Sequence, residues 1–214
     1  MTDPIRILLA DDHPTLRVGL RISLQQAPDI VVVAEAGTGA EALAQSAALL
    51  PDVALLDCVL PELAGPAVAA EIRRRGLPVR VLALSGHDDA HFLAAMHDAG
   101  AAGYLSKDAS PASILAAVRQ AARGKPAWQP EQLARIAQWR AEVQRPWASL
   151  TERERAILLA VGRGESNRDI ARRLHITERT AEFHMSNVLG KLGLPARAAA
   201  VAWVKDHAVE QWGV

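Results

Sequence analysis

The sequence has a single cysteine, Cys58, and no apolar run near the length of about 18 residues that a membrane-spanning helix needs. One cysteine cannot form an internal disulfide and offers no pair of metal-binding thiols, so a disulfide scaffold and a cysteine metal site are excluded. The apolar stretch after Asp3 is short and does not fit a signal peptide. From these absences we expect a cytoplasmic protein with no membrane partner.

Net charge is also absent, because 24 Lys and Arg balance 24 Asp and Glu. The balance hides an asymmetry: residues 1–124 carry 10 basic and 14 acidic side chains, whereas residues 125–214 carry 14 and 10. An acidic half suits a cation-binding pocket, and a basic half suits a polyanion. Half of the 214 residues are hydrophobic, which is typical of a globular chain with one domain of about 120 residues and a smaller one.

The first half alternates short apolar segments with alanine-rich helical segments, five times in succession. The apolar segments are IRILLA, IVVVAEA, DVALLD, VRVLALS and AGYLS. Continuous apolar strands separated by amphipathic helices predict an α/β domain with a five-stranded parallel, doubly wound sheet. Ligands of such sheets bind at the carboxyl ends of the strands, so we expect a functional site there.

The repeat ends near Gly124, and residues 125–147 are predicted to be a linker with a helix from 132 to 144 that Pro146 ends. Three of the five tryptophans lie in this linker, and we expect them to pack its helix onto a domain.

Residues 148–214 have no strand pattern and predict a small all-α domain. Its expected helix starts are near 152, 167 and 178, with a fourth helix after Pro195. They follow from two capping boxes, Thr151 with Glu154 and Ser166 with Asp169, and from the N-cap candidate Thr177.

Polar side chains follow four of the five predicted strands. Asp11 and Asp12 follow the first, Asp57 ends the third, Ser85 ends the fourth and Lys107 follows the fifth. Crowded carboxylates repel each other unless a hard divalent cation lies among them, and Mg²⁺ prefers oxygen ligands while keeping waters for a phosphate. This edge therefore predicts Mg²⁺ and a phosphoryl group.

The segments LLADDHP, LLDCVLPELAG, ALSG and GYLSKD make residues 1–124 similar to the flavodoxin-like receiver domain of bacterial two-component response regulators. The resemblance implies that Asp57 accepts a phosphoryl group from a sensor histidine kinase. The metal ligands it implies are Asp11, Asp12, Asp57 and, through its backbone carbonyl, Val59. Lys107 is implied to neutralise charge during the transfer, and Ser85 and Tyr104 to shift together afterwards.

The third predicted helix of the second half has two distinct faces. Ala181, Met185, Val188 and Leu192 recur at helical spacing and predict a buried stripe. The opposite face carries small or hydrogen-bonding residues, as insertion into the DNA major groove requires. Periodicity alone favours a plain helical bundle in which this face is solvated.

Residues 150–201, LTERERAILLAVGRGESNRDIARRLHITERTAEFHMSNVLGKLGLPARAAAV, resemble the helix-turn-helix DNA-binding domain of the LuxR family, which is joined to receivers in the NarL/FixJ subfamily. The resemblance implies a scaffold helix at 167–174, a recognition helix at 178–192, and dimer contacts from the helix after Pro195. Candidates for phosphate contacts are Ser166, Asn167, Arg168, Arg179, Thr180 and Lys191. Candidates for reading base edges are Glu182, Phe183, Ser186 and Asn187.

Many family members have lysine at the position of Glu182. The presence of glutamate there either alters the DNA sequence preference or weakens DNA binding.

The predicted function is a DNA-binding transcription regulator, not an enzyme, which a sensor kinase phosphorylates on Asp57 and which binds double-stranded promoter DNA as a homodimer. RNA polymerase is a further candidate partner. Two alternatives stay open. One is a phosphorylation-independent regulator whose receiver only binds proteins. The other is a Mg²⁺-dependent aspartyl phosphatase of the haloacid dehalogenase type, which needs a second acid where this chain has Val59.

Overall fold

A computed structural model describes residues 3–86 and 89–207. The end of the predicted helical domain, residues 208–214, lies outside the described residues. The chain divides into two compact units between Ile136 and Ala137. Within the described ranges, no helix combines the length and the apolar character needed to cross a bilayer.

Strands and helices alternate five times in the first unit, as the apolar pattern predicts. They are β1 (Ile5–Ala10), α1 (Pro14–Leu24), β2 (Ile30–Ala36), α2 (Gly39–Leu49), β3 (Val53–Asp57), α3 (Gly65–Arg74), β4 (Arg80–Ser85), α4 (Ala90–Ala99), β5 (Gly103–Ser106) and α5 (Pro111–Ala122). The strands form one parallel sheet in the order β2-β1-β3-β4-β5, so the predicted doubly wound fold is confirmed. This order brings the carboxyl ends of β1, β3 and β4 side by side.

Buried apolar side chains hold these strand ends in place. Every residue of β3 is buried, and Ile7, Leu9, Leu55 and Leu82 belong to a core cluster with residues of α1 and α5. Burial of each such side chain contributes about 1.5–3 kcal/mol. The polar groups that follow the strands are therefore held on a rigid base.

The end of β3 requires a glycine close by. A Cβ atom on Gly65 would lie 2.1 Å from the carbonyl oxygen of Asp57, so only glycine lets α3 begin at this position. The Gly65 N–H donates to the carbonyl oxygen of Cys58 at 3.0 Å, which fixes the loop that returns from β3 to α3.

The segment after α5 differs from the prediction at Pro146. Helix α6 (Pro130–Trp139) is followed by a π-helical turn (Arg140–Gln144) and by α7 (Arg145–Ala148). The prediction that Pro146 ends the helix at 144 was wrong. Pro146 lies in the first turn of α7, where proline needs no N–H, and the wide π-helical turn before it accommodates the ring.

The three linker tryptophans pack onto the domains, as predicted. The Trp128 indole N–H donates to the carbonyl oxygen of Ala101 at 3.0 Å in the first unit. Trp139 packs against the core of the second unit, and Trp147 stacks on Trp203 with ring centroids 6.4 Å apart.

The second unit contains α8 (Glu152–Gly162), α9 (Asn167–Arg173), α10 (Glu178–Leu192) and α11 (Arg197–Asp206). All four begin where predicted, and both predicted capping boxes are formed. Ala181, Met185 and Val188 are buried and Leu192 is partly buried against the same core, which confirms the predicted stripe on α10. The opposite face of α10 is left exposed.

Candidate functional site

Three carboxylates and an imidazole gather at the carboxyl ends of β1 and β3. One ligating atom from each of Asp11, Asp12, His13 and Asp57 lies within 4.8 Å of the others. Asp11 and Asp57 are buried, whereas Asp12 is exposed. His13 was not predicted to belong to the site, although it directly follows the acid pair. Its Nδ1 lies 2.7 Å from an Asp12 carboxylate oxygen.

The ammonium of Lys107 lies between the two buried carboxylates. Its Nζ is 2.7 Å from Oδ2 of Asp11 and 2.6 Å from Oδ2 of Asp57. The backbone fixes this position, because the Lys107 N–H donates to the carbonyl oxygen of Ser85 at 2.9 Å. Burial favours a lower pKa for Lys107, but the hydrogen bonds to Asp11 and Asp57 outweigh it and the pKa is raised. The site therefore carries a permanent cation at neutral pH.

Asp57 has a raised pKa because burial disfavours its charged form. The hydrogen bonds from Lys107 and from the backbone N–H of Val59, at 3.2 Å, oppose that rise without cancelling it. A more basic carboxylate is a stronger nucleophile. A cavity of about 690 Å³, lined partly by Asp12, Val59 and Lys107, gives a ligand access to Asp57.

The donor set fits a hard divalent cation. The Oδ2 atom of Asp11 is buried, and the Lys107 ammonium lies 2.7 Å from it. Such an oxygen beside the carboxylates of Asp12 and Asp57 suits Mg²⁺, which takes oxygen ligands. Val59 lies two positions after Asp57 in the chain and is 48% exposed.

Ser85 and Tyr104 are both buried, at 1% and 3% exposure. Tyr104 therefore already occupies an inward position. Burial raises the pKa of the neighbouring Cys58 thiol to about 12, against the hydrogen bonds with Tyr104 and Ser85. Cys58 is itself buried in the interior of the domain. Sequence reasoning missed that its thiol lies within hydrogen-bonding reach of both hydroxyls, since no local pattern signals it.

The predicted DNA-contacting residues lie on α9 and α10 or directly before α9. The exposed ones are Ser166, Arg168, Arg179, Glu182, Phe183, Ser186 and Lys191, and the half-buried ones are Asn167, Thr180 and Asn187. Phe183 is 62% exposed, which is unusual for a large apolar side chain in a globular domain.

Four of these side chains form hydrogen bonds within the second unit. The Ser166 hydroxyl donates to a carboxylate oxygen of Asp169 at 2.5 Å. The Lys191 ammonium lies 2.6 Å from Oε2 of Glu154, a buried carboxylate on α8. Asn167 accepts a hydrogen bond from Arg197 at 2.8 Å, and the Thr180 hydroxyl is 2.8 Å from that of Thr177. Sequence reasoning missed the Glu154 pair, because its members are 37 positions apart.

Comparisons with known proteins agree with this architecture. Residues 7–119 match the model of the response regulator receiver domain, and residues 148–204 match that of the bacterial regulatory proteins of the luxR family. The chain is 37% identical over 211 residues to the nitrate/nitrite response regulator NarL of Escherichia coli K12, a match that covers 97% of this chain and 98% of NarL.

Solved structures show the same fold. The response regulator ChrA, of a heme-sensing two-component system, aligns with a TM-score of 0.59 and 33% identity over 97% of this chain and all of ChrA. The RcsB–DNA complex aligns with a TM-score of 0.63 and 21% identity over 95% of this chain and 98% of RcsB, a likeness of fold alone. With an acidic pocket on a receiver sheet and a helix-turn-helix domain that follows it in the sequence, the chain belongs to the NarL/FixJ family of LuxR-type two-component response regulators.

Proposed function

We propose that a sensor histidine kinase phosphorylates this regulator on Asp57 and that the phosphorylated protein binds promoter DNA as a dimer in the cytoplasm. The observation that carries the proposal is the position of Lys107, whose ammonium lies within 2.7 Å of both Asp11 and Asp57. A nucleophile, a cation and a group of metal-binding oxygens at one cavity are what phosphoryl transfer needs.

In the proposed transfer, an oxygen of Asp57 forms a bond to phosphorus as the bond between phosphorus and the kinase histidine breaks. Asp11, Asp12, Asp57 and the carbonyl of Val59 would hold Mg²⁺, which supplies positive charge to the phosphoryl oxygens. Lys107, directly after β5, supplies a second positive charge. The raised pKa of Asp57 supports its role as nucleophile.

The acyl phosphate is proposed to act through Ser85 and Tyr104. Ser85 ends β4, and its backbone carbonyl accepts from the Lys107 N–H, which supports a role for its hydroxyl at the phosphoryl group. Tyr104 lies on β5, next to β4 in the sheet. When Ser85 moves toward the phosphate, the space available to Tyr104 changes as well, because side chains in a closely packed interior cannot move independently.

Binding to DNA is proposed to use the exposed face of α10 and the N-terminus of α9. Arg168 and Arg179 are exposed cations that suit phosphate oxygens, with Ser166 adding a hydroxyl. Ser166, Asn167 and Thr180 have internal partners and would contact phosphates only as second partners, and Lys191 would do so only by leaving Glu154. The side chains proposed to read bases are Glu182, Phe183, Ser186 and Asn187. A dimer doubles the phosphate contacts on a two-fold site.

A mobility shift of DNA fragments with the full chain tests this proposal. We expect beryllofluoride with Mg²⁺, a mimic of the phosphoryl group, to increase the affinity of wild type at least severalfold and to leave Asp57→Ala unchanged. Asp108→Asn, a matched change on the exposed loop after Lys107, should respond like wild type. Equal DNA binding by wild type with and without beryllofluoride would instead support a receiver that acts without phosphorylation.

A further inference from the structure

The post-α5 segment, residues 125–129, runs along the open edge of strand β5. Ala127 forms a parallel bridge with Gly103, and its N–H donates to the carbonyl oxygen of Ala102 at 2.6 Å. A Cβ atom on Gly103 would lie 2.8 Å from both the Cβ and the carbonyl oxygen of Ala127. Glycine at position 103 therefore permits the close approach of this segment to β5.

Two side chains from this region contact Tyr104 directly. The rings of Trp128 and Tyr104 are stacked, with centroids 6.3 Å apart and planes at 29°. Gln132 in the first turn of α6 donates from Nε2 to the carbonyl oxygen of Tyr104 at 3.0 Å. Its Oε1 accepts from the N–H of Gln129 at 3.0 Å, so the amide is held in this orientation.

Trp128 is itself held in place from two directions. Its indole N–H donates to the carbonyl oxygen of Ala101, and the His97 ring lies edge-on with a centroid distance of 5.2 Å. Aromatic pairs in these geometries add stability beyond that of their buried area. The ring and the backbone of Tyr104 are therefore both fixed by residues outside the sheet.

We infer that Trp128 and Gln132 are positioning residues that hold Tyr104 in its inward position and thereby couple the docking of the post-α5 segment to the phosphorylation of Asp57. The inference rests on the proposed function. Tyr104 pairs with Ala83 of β4, and Ala83 pairs in turn with Leu56, which precedes Asp57 on β3, so one residue connects the phosphoacceptor strand with the segment.

The sign of the coupling follows from the buried position of Tyr104. Both the docked segment and the phosphoryl group favour this inward position, so each stabilises the other, and the effect is reciprocal. Phosphorylation tightens the segment on β5, and loss of the Trp128 ring weakens the binding of a phosphoryl mimic.

Hydrogen exchange of the full chain, read by mass spectrometry with and without Mg²⁺ and beryllofluoride, tests the coupling. We expect beryllofluoride to slow exchange in peptides that cover residues 125–132, which include the Ala127 amide. In Trp128→Leu, the beryllofluoride concentration for half-maximal protection of residues 11–15 should rise by about fivefold, within the usual range of coupling between sites.

Two further variants separate coupling from packing. Trp128→Phe keeps a ring for Tyr104 and should restore most of the wild-type response, whereas Gln132→Ala should reduce it. Leu133→Ala is the matched control, because Leu133 is exposed on the same helix and should respond like wild type.

Unchanged or faster exchange in residues 125–132, while residues 11–15 become protected, would overturn the coupling and leave the phosphorylation site in place. Absence of protection at residues 11–15 in wild type would overturn the proposed phosphorylation, and the coupling with it.

Discussion

The Lys107 ammonium lies 2.6 Å from Oδ2 of Asp57, although the two residues are 50 positions apart in the chain. Parallel strands β3 and β5 end at the same edge of the sheet, with β4 between them, and this arrangement makes the contact possible. The ion pair places a fixed positive charge at a carboxylate that is both buried and open to a cavity.

Replacing Asp57 by asparagine should stabilise the fold at neutral pH. Burial raises the pKa of Asp57 above its ordinary 3.8, so the charged carboxylate costs stability above the folded-state pKa. This loss of stability decreases as the pH falls through the folded-state pKa, and it is absent below pH 3.8. We expect Asp57→Asn to raise the free energy of unfolding by about 1 kcal/mol at pH 7 and not at all at pH 3, measured by urea denaturation. A less stable variant at pH 7 would contradict this, and Asp108→Asn serves as the exposed control.

Removing the Lys107 ammonium should tighten Mg²⁺ binding. The ammonium lies within 2.7 Å of two carboxylate oxygens that are proposed metal ligands, so it competes electrostatically with a divalent cation. We expect Lys107→Ala to lower the Mg²⁺ Kd by about fivefold to tenfold in isothermal titration calorimetry. Lys125→Ala removes an exposed lysine of the same unit and should leave the Kd unchanged. Weaker Mg²⁺ binding by Lys107→Ala would show that the lysine orients the carboxylates instead of competing for them.

Lys191 should matter more for folding than for DNA affinity. Its ammonium neutralises the buried Glu154 carboxylate, and a broken buried pair costs about 3–5 kcal/mol, less for a partly exposed lysine. We expect Lys191→Met to lower the free energy of unfolding by about 2 kcal/mol at pH 7. Burial favours a higher pKa for Glu154, but the hydrogen bonds from Lys191 and Thr151 hold it below 4.5. The stabilisation is therefore complete above pH 4.5 and is lost as the pH falls through the lower folded-state pKa.

The salt dependence of DNA binding provides the comparison for Lys191. Arg179→Met should reduce the slope of log K against log salt by about 0.9 for each subunit, because an exposed arginine at a phosphate releases one counterion. Lys191→Met should leave the slope unchanged at temperatures where it is folded. A reduced slope for Lys191→Met would show that the lysine leaves Glu154 to contact DNA.

Glu182 should select cytosine in the operator. It is exposed four positions before Ser186, so these two side chains adjoin on the surface of α10. A carboxylate accepts a hydrogen bond from the amino group of cytosine, whereas lysine prefers guanine. Selection of sites from random DNA should therefore yield a cytosine that Glu182→Lys no longer selects, with a loss of about 1 kcal/mol, roughly fivefold in affinity, at that base pair.

Glu178→Lys is the matched control for this selection, since it makes the same charge change in the first turn of the same helix. If both variants select the same sites as wild type, Glu182 does not read bases. If both lose the cytosine, charge and not direct contact decides the preference.

Local signals in the sequence predicted the elements well. Thr151 and Glu154 form the capping box that starts α8, and Thr177 caps α10, because cap chemistry involves residues only three positions apart. Pro146 was misjudged, since the effect of a proline depends on whether the preceding turn is α-helical or π-helical, and its neighbours alone do not decide this.

Contacts between distant residues were predicted less well. Lys191 pairs with Glu154 and Trp128 stacks on Tyr104, and neither partner was predicted. In both cases the residue type indicated that the side chain makes a contact. The sequence did not show which residue is the partner, because the partner lies on another element of the fold.

The sequence by itself determined the succession of strands and helices along the chain, the acidic and basic residues at the strand ends, and the two faces of α10. These features follow from hydrophobic periodicity and capping, which act over a few residues. Only the tertiary structure decided that Lys107 joins Asp11 to Asp57, that Glu154 engages Lys191, and that Tyr104 is held from outside the sheet. These pairings depend on which strand and helix ends lie side by side, and packing of the whole domain sets that arrangement.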